Sequence, residues 1–175
     1  MLSIHRRKAK PGADMSSIPR KRAAPQRVRM RDVSRSLPLA LMRAREATMQ
    51  YFRPHLRSLA VTEQQWRVLR VLYSAGSIDV TALARRAVLL APSLTRILRD
   101  LEGQHLISRQ RVAGDRRRHV VMLTPSGVRL LARGAADSEA AYRRIAKQLG
   151  ERRLQSLFNL LATLEKALDG NRRRR

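Results

Sequence analysis

The chain has 175 residues, and 38 Lys and Arg against 13 Asp and Glu give a formal net charge of +25. That balance calls for a polyanionic partner, nucleic acid or an anionic surface, while an apolar content of 43% excludes wholesale disorder. The absence of cysteine excludes disulfides, thiolate zinc sites and cysteine nucleophiles together.

Residues 1–35 carry eleven Lys or Arg, only Asp14 and Asp32 as acids, and Pro11, Pro19 and Pro25. Clustered like charge without apolar periodicity predicts a disordered basic arm. Such an arm would raise non-specific DNA affinity by counterion release; it reads equally as sequence without a dedicated role, with Met15 and Met30 as alternative starts. It holds no hydrophobic signal segment, and no apolar run reaches bilayer-spanning length. The expected setting is therefore the cytoplasm, at the nucleoid, with no membrane partner.

From Ser36 the pattern turns helical. Leu37, Leu41, Ala44, Thr48 and Met49 recur at roughly the helical period, and Pro54 is expected to kink or end this helix near Phe52. Thr62 with Gln65 forms a capping-box signature that opens a helix through Trp66, Leu69, Leu72 and Tyr73, closed around Gly76. Asp79 caps a short helix with Val80, Leu83, Ala84 and Ala87 on one face. Ala91-Pro92 then starts a helix that runs to about Gln104.

On that helix Leu94, Ile97, Leu98 and Leu101 fall within one arc of about 100°, at about 100° per residue. Thr95, Arg96 and Arg99 lie opposite, with Ser93 on the flank. Arginine pairs bidentately with guanine, and Ser and Thr reach phosphates or base edges, so this face suits a major groove. Two β-prone runs follow, Leu106–Arg111 and His119–Leu123. They are joined by a turn holding Gly114, Asp115, Arg116, Arg117 and Arg118, which predicts an arginine-tipped hairpin. Thr124-Pro125 opens a long helix to Leu149, Gly150 breaks it, and a last helix carries Leu154, Leu157, Phe158, Leu161, Leu164 and Leu168.

Asp115-x-Arg117-x-x-x-Val121-x-Leu123-Thr124, followed by Pro125-Ser126-Gly127, resembles the wing signature of the MarR family of bacterial regulators. Pro92 to Glu102 resembles that family's recognition helix. The similarity runs from about Ser36 to Asp169. Ser36–Glu46 and Thr62–Arg70 look closest to the branch that represses homoprotocatechuate-degradation operons. The resemblance implies a mainly α fold with a small β-hairpin (α+β): a winged helix-turn-helix lobe over about 62–124, dimerisation helices over about 36–59 and 125–169, and a basic tail at 171–175. Pro92, Ser93, Thr95, Arg96, Arg99, Arg116, Arg117 and Arg118 would contact double-stranded DNA, with Arg117 in the minor groove and Asp115 bracing it. Ala91 stands where many members place a capping Ser or Asp.

The resemblance further implies a homodimer on a pseudo-palindromic operator. It also implies a small aromatic or heteroaromatic carboxylate as effector, of phenylacetate or pyridine-carboxylate type. Candidates for holding it are Ser36, Arg43, Arg45, Trp66 and Arg67; Arg forks match a carboxylate and Trp66 offers a flat wall. For Trp66 a core position, and for Arg43 and Arg45 intersubunit ion pairs, are the alternatives. No metal or cofactor is expected. His5, His55, His105 and His119 are scattered, and neither a phosphate loop nor a nucleophile motif is present, so an enzyme is not expected. A regulator without a ligand, or a non-specific architectural nucleic-acid-binding protein, remains the alternative.

Overall fold

The computed structural model describes the backbone of residues 32–112 and 115–172, and the side chains of residues 32–110 and 120–169. The chain divides between Ser36 and Leu37 into two units. Of the first, residues 32–36 are described: a 3-10 turn over Val33–Arg35, capped by the Asp32 carboxylate accepting from the Ser34 N–H.

The second unit begins with α1 (Leu37–Ser58), which runs through Pro54 instead of ending near Phe52. Proline removes one donor, but the turns on either side of it bury Phe52 before it and His55 and Leu56 after it, which holds the helix together past the gap. α1 stops where Ala60 takes a φ of 54°. There the Ala60 N–H bonds the Arg57 carbonyl and the Val61 N–H reaches back to Leu56, a Schellman ending made without glycine.

α2 (Glu63–Ala75) carries the full capping box, with Thr62 and Gln65 bonding each other's backbone N–H, and Gly76 closes it at a φ of 71°. A short strand, β1 (Ser77–Asp79), then leads into α3 (Val80–Arg86), whose N-cap Asp79 accepts from Ala82. The N-cap of α4 (Ala91–Gly103) is Leu90, so Ala91 is the first helical residue and not the cap, and Leu90 makes no side-chain cap bond. Between α3 and α4, Val88 adopts a φ of 51°. A left-handed β-branched residue is strained by about 1–2 kcal/mol.

β2 (Ile107–Val112) and β3 (Asp115–Leu123) form the hairpin, and β3 also pairs antiparallel with β1, giving the order β1-β3-β2. Two points differ from the sequence reading. Residues 115–118 belong to β3 by their backbone and not to the turn, and β1 is a third strand, registered Ile78 to Val121. Three residues are too short to show a period, so only pairing with β3 reveals it. α5 (Pro125–Leu149), capped by Thr124, and α6 (Glu151–Arg172) complete the unit. α6 extends two residues into the stretch read as a basic tail.

The core gathers Leu69 and Leu72 from α2, Leu83 from α3, Leu94, Leu98 and Leu101 from α4, and Val121 from β3, all fully buried. It welds α2, α3, α4 and the sheet into one lobe, so the outward face of α4 is held on a rigid base. α1 packs along α5. Their outer ends and α6 leave Leu37, Met42, Leu157, Phe158, Leu160 and Leu168 exposed. Among the described residues no helix is long and apolar enough to cross a membrane.

Candidate functional site

α4 presents the expected face. Leu94, Ile97, Leu98 and Leu101 are buried, whereas Pro92, Ser93, Thr95, Arg96 and Arg99 are exposed. Thr95 Oγ1 donates to the Ala91 carbonyl at 3.0 Å, which leaves its lone pairs outward as acceptors. The exposed start of α4 and the two guanidiniums one turn later make a surface of positive charge, which suits phosphates and guanine edges. The hairpin places the backbone of Asp115, Arg116, Arg117 and Arg118 in β3; their side chains lie outside the described residues.

A cleft of about 410 Å³ opens where α1, α2 and α5 converge. Arg45, Trp66 and Arg67 of the expected set line it; Arg43 does not. The cleft residues of α1 are Arg45, Thr48, Met49 and Phe52, one helical face, and Arg43 lies about 200° round from Arg45. Ser36 belongs to the first unit, where its N–H bonds the Val33 carbonyl at 3.2 Å.

Glu63, Arg70, Ser138 and Tyr142, outside the expected set, also line the cleft. Glu63, Trp66, Arg67 and Arg70 repeat at helical spacing, a signal available in the sequence; Ser138 and Tyr142 come from α5 and need the tertiary fold. Phe52 and Tyr142 meet edge to face at 5.1 Å, so the apolar wall is aromatic on two sides. The seat of Trp66 against α5 needs Gly134, where a Cβ would collide with the Trp66 ring and Leu59.

Charge in the cleft is organised around Glu63. Arg53 Nε donates to it at 2.7 Å and Arg45 pairs with its other oxygen, while Arg53 also holds Glu46. Burial pushes the Glu63 carboxyl up, but Arg53 and Arg45 outweigh it and leave its pKa below the usual value. Arg53 is held above the ordinary arginine range by Glu46 and Glu63. Arg53 and Arg45 therefore neutralise Glu63 locally, and Arg67 and Arg70 face the cleft with no ion pair among the described residues. A flat apolar slot bordered by guanidinium charge can hold an aromatic anion.

Behind Trp66 lies buried His55, whose ring stands 5.9 Å from that of Trp66 and 5.8 Å from that of Phe52. Its Nε2 has no hydrogen-bond partner among the described residues. Burial lowers the His55 pKa, with Asp137 opposing. A histidine depressed in the folded state contributes stability above its unfolded pKa, near 6.5, and loses it as pH falls through the folded value. Urea melts at pH 7.5 and 5 are expected to show that loss, and His55→Leu should flatten it. Among the described residues no group of three or more His, Asp or Glu could hold a metal.

Residues 61–119 match the MarR family. The Escherichia coli homoprotocatechuate degradative operon repressor is 43% identical over 126 residues, covering 72% of this chain and 85% of that protein. The crystal structure of NadR in complex with 4-hydroxyphenylacetate is 36% identical, with a TM-score of 0.69 over 78% of this chain and 97% of that one. That of CouR, a transcriptional repressor bound to a 23-mer DNA duplex, is 30% identical, with a TM-score of 0.70 over 79% and 98%. The chain belongs to the MarR family of winged helix-turn-helix transcriptional regulators.

Proposed function

We propose that this MarR-family repressor acts in the cytoplasm as a homodimer on a pseudo-palindromic operator, and that a small aromatic carboxylate releases it. The observation that carries the ligand reading is the cleft itself: Trp66, Phe52 and Tyr142 form apolar walls, and Arg67 and Arg70 supply charge. NadR was crystallised with 4-hydroxyphenylacetate, a molecule of this chemistry. Ser93, Thr95, Arg96 and Arg99 read the major groove from α4. Arg117 enters the minor groove with Asp115 as its brace, and Arg116 and Arg118 meet phosphates. The helices at 36–59 and 125–169 form the dimer, and the arm at 1–35 adds affinity for any DNA.

Release follows from the ligand's preference for one spacing of the two recognition helices. Footprinting on DNA flanking the chain's own gene is expected to show one protected palindrome, and 4-hydroxyphenylacetate or a pyridine carboxylate to weaken that protection. Protection without an edge would make the protein architectural. Protection that no aromatic acid alters would make it a regulator without this ligand class.

A further inference from the structure

Arg67 does more than line the cleft. Its Nη1 donates out of it, to the carbonyl oxygens of Ala87 at 3.1 Å and Val88 at 3.4 Å. These carbonyls lie at the end of α3, where the last helical oxygens lack partners within the helix. The turn there is a Schellman ending: the Leu89 N–H bonds Ala84 at 2.9 Å and the Val88 N–H bonds Arg85 at 3.2 Å. Val88 occupies the left-handed position that favours glycine, and its side chain is 75% exposed, so packing does little to offset the strain.

Two residues later comes Leu90, the N-cap of α4, which makes no side-chain cap bond. The start of the DNA-reading helix is thus set by a strained turn, and a guanidinium reaching across from the ligand cleft bonds that turn.

We propose that Arg67 is a positioning residue for DNA reading: it holds the α3–α4 turn in place when the cleft is empty, and an anion in the cleft draws it away. The second half rests on the ligand reading above. A carboxylate competes well for this group, because charge-assisted hydrogen bonds are about twice as strong as those to a neutral carbonyl. Arg67 is also primed for an anion. Burial lowers its pKa and like-charged Arg45 adds to the effect, with Glu63 opposing. Losing the carbonyl contacts frees Val88 to leave its strained conformation, and the N-terminus of α4 moves with it.

The test compares Arg67→Met, which keeps the stem and loses the donors, with Arg67→Lys, which retains a cationic donor. In Arg67→Met the Val88 and Leu89 amides should exchange with solvent about tenfold faster, the scale of one lost hydrogen bond. Amides of the α2 core should be unchanged. Operator affinity should fall about tenfold while affinity for a random duplex of equal length stays within about twofold, and Arg67→Lys should recover most of both. In the wild type, saturating 4-hydroxyphenylacetate should accelerate the same two amides and should add nothing in Arg67→Met.

Unchanged exchange at Val88 and Leu89 in Arg67→Met overturns the tether, and equal losses on operator and random DNA overturn the positioning role. If calorimetry shows the acid binding the wild type without altering those amides, the coupling falls. If neither it nor a panel of aromatic acids binds at all, the ligand reading falls, and the two variants still decide the tether.

Discussion

Gly127→Ala is expected to destabilise the protein by about 2 kcal/mol or more, although the position is helical and alanine is the better helix former. Gly127 is the third residue of α5, and its N–H donates to the Thr124 cap at 3.1 Å. On propensity alone, alanine should stabilise by up to about 1 kcal/mol. A Cβ here would instead meet the Leu106 carbonyl oxygen and carbon, with the Leu123 side chain beside them, well under 3.0 Å for the oxygen. Neither partner can retreat easily. The Leu106 carbonyl accepts from the Thr124 N–H at 3.1 Å, and the Leu106 N–H closes α4 onto Leu101 at 2.9 Å. Overpacking of this kind costs about 1–3 kcal/mol or more, and because the obstacle is backbone the upper end applies. Thermal denaturation should show a fall in Tm of roughly 5 °C. A rise would mean that the junction between α4, the hairpin and α5 is pliable.

The elements that could be read in the sequence are those whose signals are local. Thr62, Asp79 and Thr124 announce helix starts by side-chain chemistry, and Gly76 and Gly150 announce ends by backbone freedom. The buried arc of α4 follows from spacing alone, so the exposed residues Ser93, Thr95, Arg96 and Arg99 were legible too. What was hidden depends on partners distant in sequence. Helix endings at Ala60, Val88 and His105 carry positive φ without glycine, because surrounding packing imposes what the residue itself disfavours. Pro54 passes inside α1 because burial around it outweighs one missing hydrogen bond. The cleft was half visible: its α2 row is periodic, but Ser138 and Tyr142 join it only once α5 lies against α1. The reach of Arg67 to Ala87 and Val88 spans twenty residues or more and has no sequence signature.

If the chain pairs as proposed, placing Glu at both Leu157 and Leu161 is expected to convert that dimer to a monomer and to lower affinity for a palindromic operator by about 10²–10⁴-fold, the scale of bivalent gain. α6 leaves Leu157, Phe158, Leu160, Leu161 and Leu168 between 36% and 68% exposed, and α1 adds Leu37, Leu41 and Met42. Burying each such side chain is worth about 1.5–3 kcal/mol, so a second copy of the chain gains much by covering the stripe. Two carboxylates per copy would face the apolar surface that covers the stripe, which reverses the gain. Both residues are on the exposed side of α6, at 42% and 36%, and glutamate is a good helix former; helical circular dichroism should therefore persist. Light scattering reads the mass, and binding to a half-site duplex reads whether the contacts proposed for α4 and the wing survive. Lost palindrome affinity with half-site affinity retained is the expected pattern, since a monomer keeps its groove-reading face and loses only the second attachment. A variant that stays dimeric, or a monomer that binds the palindrome as the wild type does, would show that the apolar stripe of α6 serves something other than pairing two recognition helices.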